Sequence, residues 1–408
     1  MTVRRVPILI VGGGIGGLAA AIALAKRGRE VVLIEKSPEF VEIGAGLQIA
    51  PNASRALDVL GVLPAVEPVA VFPKRMVWMD AIAGTQLTTL DLGAPFVERY
   101  GYRYFVMHRH DLLTALVAAA RSQPRISLET SRTVTGVSDL GDAARAVCAD
   151  GTAYDAALLI GADGLWSTVR AAIVDDAPIC AQYVAYRGAI PIEQMSSHAR
   201  LDDVMLWTGP EMHLVQYPLR RGELYNQVAV FRSRRYRPDS DDWGTPDELE
   251  ATFGAGAEPV RVALTRIKRN RRWPMYDRLP IARWSRNRIT LLGDAAHPML
   301  QYLAQGACQA LEDAVALADA VAQYGDDIGA ALSAYEAARV ARTARVQTSA
   351  REWGEYWHMA PRDAERRNLE LRAHDARDYA PTDWLYAYDA TKSADRGEAR
   401  NAKGSAEG

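Results

Sequence analysis

The 408 residues, 49% hydrophobic and 24% charged, hold more material than one core usually organises, which excludes a wholly disordered chain and predicts two packed domains or one with a large insertion. With 48 basic against 50 acidic residues the formal net charge is -2, so no global field draws nucleic acid or an anionic membrane, and a charged partner has to be recognised locally. Three widely separated cysteines, Cys148, Cys180 and Cys308, argue against a disulfide framework and fit a cytoplasmic setting, and no pair among the seven histidines shows metal-ligand spacing with a carboxylate, so no metal is expected.

In chain order, 6–11 reads as a short buried strand, 17–27 as an alanine-rich helix ended by Gly28, and 30–35 as a second strand, the size of a βαβ unit. Between strand and helix lies Gly12-x-Gly14-x-x-Gly17, with Ile15 and Gly16 inside the turn. Bare backbone there lets amide N–H groups and a helix N-terminus approach a pyrophosphate. Glu35, 23 residues after Gly12 and followed by Lys36, closes the second strand where a carboxylate can accept hydrogen bonds from an adenosine ribose. Glycines needed only for packing are the alternative. These glycines also interrupt the apolar run behind Arg4 and Arg5 that would otherwise imitate a signal peptide, and no other stretch is long and apolar enough to span a bilayer.

Apolar and polar residues alternate over 66–104 and 184–234, which predicts antiparallel sheet, while 108–163 returns to the first domain through a helix and strands near Ile126 and Leu158. A strand at 288–292, an irregular loop, a helix at 306–323 and another from Ile328 follow. The expected fold class is α/β. A doubly wound, Rossmann-like cofactor domain (1–65, 106–178 and 285–325) is interrupted by a sheet-rich α+β substrate domain (66–105 and 179–284). A C-terminal helical segment (326–388) and a disordered tail (389–408) complete the chain.

Two further segments, 161–170 containing Asp163 and 293–298 containing Asp294, are not needed by a simple nicotinamide dehydrogenase. With the glycine turn they resemble the class A flavoprotein aromatic hydroxylases, over nearly the whole chain apart from the tail. The resemblance implies a para-hydroxybenzoate hydroxylase-like fold and tightly but noncovalently bound FAD, reduced by transient NADH or NADPH. It implies that Asp294 contacts a ribityl hydroxyl, that Asp163 serves cofactor and nicotinamide together, and that Arg109 reaches the pyrophosphate, whose oxygens match a guanidinium fork. It places Ala45, Gly46 and Gln48, within the 44–48 loop, beside the flavin ring, and sets Gly306 and Ala307 at a helix N-terminus whose partial positive charge faces the flavin. A turn or cap for Asp294, a structural turn for Asp163, a surface position for Arg109 and an ordinary turn for 44–48 are the competing readings. The chain departs from the family pattern at Gln301, where Pro is usual, and at Ala304, where Gly is usual. Gln301 is therefore a specificity candidate.

Around 212–218 a period of two points His213, Val215 and Tyr217 to one face. A histidine titrating near neutrality can take the proton of a phenol, raising electron density at the ring carbon to be hydroxylated, whereas the competing reading is a hydrogen-bonded structural histidine. The resemblance makes His213 the base, with Tyr217 on its face and Gln301 from the opposing loop holding the ring. His358 has no evident partner. Tyr102, Tyr104, Phe105, Tyr186 and Tyr302 are candidate pocket walls, and Arg187 is a carboxylate or phosphate ligand or a surface ion pair.

The chain has no second G-x-G-x-x-G unit and no C-x-x-C pair, which leaves transient nicotinamide use followed by oxygen chemistry, and no W-x-W pair, which disfavours the related halogenases. The His213 strand and the 299–302 loop are most similar to those of family members acting on 3-hydroxybenzoate. That similarity implies para-hydroxylation of this aromatic acid to 2,5-dihydroxybenzoate with NADH and O2, and a homodimer is expected. A decarboxylating hydroxylase of salicylate and a catalytically silent FAD-binding regulatory or scaffold protein are the alternatives.

Overall fold

Strands buried on both faces by runs of Val, Leu and Ile are what a parallel sheet demands. In the computed structural model, which describes residues 2–41, 44, 46–195 and 200–392, Thr2–Val11 lies at the centre of such a sheet. It runs parallel to Val31–Ile34 on one side and Thr152–Gly161 on the other. Val31–Ile34 continues in parallel to Ile126–Glu129, and Thr152–Gly161 to Ile289–Leu291. Helices Ile15–Lys26 and Gly306–Tyr324 pack on each other over this sheet. Ala19, Ala20, Ala21 and Ala23 are all buried there, their short side chains allowing the close approach.

A second, seven-stranded sheet runs in the order Trp273–Asp277, Ile179–Pro191, Leu224–Arg232, Met212–Leu219, Asp203–Gly209, Arg75–Asp80, Gln86–Asp91. All neighbours are antiparallel except Asp203–Gly209 with Arg75–Asp80. Strand alternation sorts its faces. Tyr186, Leu214 and Phe231 pack with Leu249, Phe253 and Val260 of the short helices Pro246–Phe253 and Glu258–Leu264, whereas His213, Val215 and Tyr217 line a cavity that the 299–307 loop and C-terminal helix residues also line. The nested α/β architecture expected from the sequence is the one observed.

The C-terminal helices are integral to that arrangement. Ile328–Trp357 packs along Gly306–Tyr324, and its last turns bring Trp353, Tyr356 and Trp357 within 5.9–6.1 Å of the Trp78 ring, centroid to centroid. Pro361–Arg372 and Ala380–Tyr386 fold back over the same region. Disorder expected from 389 onward does not hold for its first residues: Ala390–Lys392 form a short turn with Ala390 buried, because the aromatic residues before it anchor the chain to the core, and the rest of that segment lies outside the described residues. Among the described residues, no helix is long and apolar enough to cross a membrane.

Candidate active site

Close packing dictates the glycine turn. Gly12 has φ 111°, and a Cβ there would sit 2.3 Å from the Ala162 carbonyl oxygen; one on Gly17 would sit 2.0 Å from the Gly12 oxygen. Both are packing glycines, and the same constraint leaves the backbone bare. Helix Ile15–Lys26 begins at Gly14 with no side-chain cap, so its first N–H groups are available to an anion. Ile15 turns its side chain into the core, and Gly16 lies against Leu292, which sets the turn beside the loop that carries Asp294. The Glu35 carboxylate accepts from the N–H groups of Gly13 at 2.7 Å and Ser37 at 2.8 Å, so it is fixed at the end of its strand; Lys36 is exposed next to it. Bare turn, uncapped helix and oriented carboxylate fit the adenosine and pyrophosphate half of a dinucleotide.

Beyond the turn a cavity of about 830 Å³ opens between the second sheet, the 294–307 segment and the C-terminal helices. Of the residues singled out in the sequence, Gly46, Gln48, Arg109, Asp294, Gly306 and Ala307 line one part of it, and His213, Tyr217 and Gln301 the other. The glycine turn, Glu35 and Asp163 lie outside its walls, and Ala45 lies outside the described residues. Gly46 is demanded locally, because a Cβ would meet the Tyr217 ring at 2.5 Å. Its N–H donates to Asn226 Oδ1 at 3.0 Å, while the Tyr104 hydroxyl donates to Gln48 Oε1 at 2.6 Å. Helix Gly306–Tyr324 also begins without a side-chain cap, and its positive end opens on the cavity. An elongated cofactor with a pyrophosphate in its middle and an electron-accepting ring at one end fits this sequence of groups.

Asp163 is committed to its own turn. Its carboxylate accepts from Ser167 Oγ at 2.5 Å and from the N–H groups of Thr168 at 2.7 Å and Val169 at 3.2 Å, with burial pushing its pKa up. Arg187 lines the cavity with its guanidinium 4.1 Å from the Trp273 ring centre. Of the candidate aromatic walls, Tyr104 and Tyr302 line the cavity. Phe105 and Tyr186 are core residues, and Tyr102 donates to Asp58 at the surface.

His213 pairs with Thr208 and Val230 in adjacent strands and is fully buried. Its Nδ1 lies 2.8 Å from Nε2 of His358, the two rings stacked with centroids 5.0 Å apart, while its own Nε2 has no protein partner among the described residues. Burial, reinforced by His358, holds its pKa well below the ordinary histidine range. The expectation of titration near neutrality is thereby corrected: His213 is a neutral base across the physiological range. Burial also raises the Tyr217 and Tyr302 hydroxyls far above the usual range, keeping both as neutral phenols. Gln301 sits in a single 3-10 turn, Gln301–Leu303, ended by Ala304 at φ 53°, the left-handed conformation that explains why glycine is usual there.

His358, Trp353 and Trp357 were not singled out. The aromatic run at 353–358, spaced as one helical face, was the available signal, but the pairing of His358 with a residue 145 positions away is purely tertiary. Together these groups offer a cavity with an apolar wall, a neutral imidazole whose buried Nε2 has no protein partner among the described residues, and a positive helix end. Such a site can take a proton from a bound phenol while an electron-carrying ring lies against the helix.

Known proteins agree with this geometry. The FAD binding domain family matches residues 5–350. The 3-hydroxybenzoate 6-hydroxylase of Klebsiella oxytoca is 40% identical over 385 residues, 93% of this chain and 96% of that one. Among solved structures, Klebsiella pneumoniae HpxO complexed with FAD and uric acid superimposes with a TM-score of 0.83 at 27% identity, covering 94% and 96% of the two chains. A salicylate hydroxylase substrate complex does so with 0.80 at 27% identity, covering 96% and 97%.

Proposed function

We propose, since the chain belongs to the FAD-dependent aromatic hydroxylases, that it inserts one oxygen atom of O2 into 3-hydroxybenzoate, para to the hydroxyl, giving 2,5-dihydroxybenzoate with NADH as reductant. The observation that carries this reading is the buried, neutral His213 in the wall of the cavity that Tyr217 and Gln301 also line. FAD, when bound and reduced, supplies the activated oxygen that attacks the ring. Gly12, Gly14 and Gly17 with Glu35 would hold its adenosine and pyrophosphate end, Arg109 and Asp294 its middle, and Gly46, Gln48 and the amides of Gly306 and Ala307 its ring.

The residues of the chain supply the rest. His213 accepts the phenolic proton at Nε2, and the phenolate left behind concentrates electron density on the carbon para to it. Tyr217 and Gln301 hold the ring in one orientation, which is what makes a single carbon the target. Leu300, Trp353 and Trp357 form an apolar wall that keeps water from the reacting atoms. A cytoplasmic homodimer belongs to the same reading, and light scattering on the holoenzyme reads its oligomeric state directly.

NADH oxidation followed against a panel of 3-hydroxybenzoate, salicylate and 4-hydroxybenzoate, with product and peroxide quantified, tests the assignment. We expect 3-hydroxybenzoate to stimulate NADH use most and to yield 2,5-dihydroxybenzoate. Catechol and CO2 from salicylate at the higher rate would move the assignment to the decarboxylating reaction, and a yellow protein inert to the whole panel would reject catalysis.

A further inference from the structure

We infer that His358 is a positioning residue that holds His213 in its Nδ1–H tautomer, so that the unpartnered Nε2 is the nitrogen that accepts the proton of the substrate phenol. The inference rests on the assignment of His213 as base above and extends it to a residue outside that assignment.

A ring-nitrogen separation of 2.8 Å requires one proton between the two histidines. If His213 carries it on Nδ1, His358 accepts through Nε2 and the cavity-side Nε2 of His213 is a bare acceptor, matched to a phenol O–H. If His358 carries it, His213 presents an N–H to the cavity and cannot accept. His358 is held in place: it caps helix Ile328–Trp357, its N–H donates to the Gly354 carbonyl at 3.2 Å, and its ring stacks on Tyr183 at 4.6 Å and 18°, while its own Nδ1, which carries its proton in the first arrangement, is buried without a protein partner among the described residues. The titratable and charged groups packed around the pair are Tyr183, Tyr302 and Arg367, with Glu211 directing its backbone N–H at the His358 carbonyl. None of these is a carboxylate side chain bonded to either ring, so the second imidazole occupies the place a carboxylate often takes beside a catalytic histidine.

The proton bookkeeping closes. The phenolic O–H bond breaks, its electron pair stays on oxygen, and an N–H bond forms at His213 Nε2. The His213 Nδ1–H stays hydrogen-bonded to His358 Nε2, and the positive charge remains on His213 beside the phenolate it has formed. After oxygen transfer the same steps run backwards.

The test is ¹⁵N-histidine NMR of the FAD-loaded, substrate-free enzyme, with His213→Ala to assign the signals, joined to coupling measurements on His358→Phe and His358→Gln. We expect His213 protonated on Nδ1 and bare on Nε2 in the wild type, and a tautomer mixture in His358→Phe. Product formed per NADH should fall roughly 10-fold in the Phe variant with KM little changed, in line with the loss of an orienting partner. Gln, whose amide oxygen can accept the same hydrogen bond, should recover most of it. A wild-type His213 protonated on Nε2, an unchanged tautomer in His358→Phe, or Gln no better than Phe would each overturn the inference. If the pair behaves as stated and 3-hydroxybenzoate still gives no dihydroxy product, the substrate assignment fails and the pair stands; if His358→Phe keeps wild-type coupling, the pair fails and the assignment stands.

Discussion

At the scale of single residues, the buried Nε2 of His213 lacks a protein partner among the described residues, a cost that a bound phenol would offset. His213→Ala should therefore leave NADH consumption in place and lower the hydroxylation step by roughly 10²-fold or more, the range of general-base catalysis, with peroxide replacing product. Unchanged coupling would make His213 a core residue. His358 gives a second, pH-dependent signature, because burial, with a contribution from Arg367, pushes its pKa down to about 3. An unfolded histidine protonates near pH 6.5, so below that pH the unfolded chain takes up a proton that the folded one refuses, and stability falls as pH drops from about 6.5 toward 3. Thermal melts of His358→Phe should show a shallower loss over that window than the wild type; an equal slope would contradict the burial argument. Ala304 offers a gain instead: Ala304→Gly relieves a left-handed φ of 53° and should add about 0.5–1 kcal/mol to the urea-unfolding free energy.

Helix Ile328–Trp357 carries more of the site than its sequence suggests. Its middle is joined to helix Gly306–Tyr324 by a fully buried charge network in which Arg339 donates to Glu312 at 2.5 Å and to Asp313 at 2.7 Å, while Asp313 also accepts from the Gly293 N–H and pairs with His297. That network ties the Asp294 loop to both helices, and with the helix so anchored its end delivers Trp353, Trp357 and His358 to the cavity. Arg339→Met would remove one cation shared by two buried carboxylates, leaving Glu312 with Arg342 and Asn52 and Asp313 with His297 and the Gly293 N–H, and should cost about 1–3 kcal/mol in urea denaturation. A loss below 1 kcal/mol would show the network to be dispensable. The βαβ unit, the glycine turn and the His213 strand were legible because periods of 2 and 3.6 and a glycine spacing are local. The closing role of 353–358 was not, since helix periodicity says which face is apolar and not which sheet it meets. The turn that Asp163 accepts from was not legible for a related reason: an aspartate two residues after a glycine looks alike whether it faces a ligand or its own turn.

Across the whole molecule, the first sheet presents two helix N-termini without side-chain caps, whose backbone N–H groups a bound cofactor can use. FAD at 100 times its dissociation constant should raise stability by about 2.7 kcal/mol over the apoprotein, read as a concentration-dependent rise in Tm, whereas NAD alone should not reproduce the shift. The second sheet contributes one wall of the substrate cavity, and the C-terminal helices contribute the opposite one, so neither half holds a complete site. The central claim is that this composite cavity transfers one atom of O2 to a phenol ionised inside it. Reaction of the FAD-loaded enzyme with 3-hydroxybenzoate, NADH and ¹⁸O2 measures that claim most directly, with the product analysed by mass spectrometry. The expected product is 2,5-dihydroxybenzoate carrying one ¹⁸O atom for each NADH oxidised. Unlabelled product, or NADH oxidation that ends only in peroxide, would contradict it.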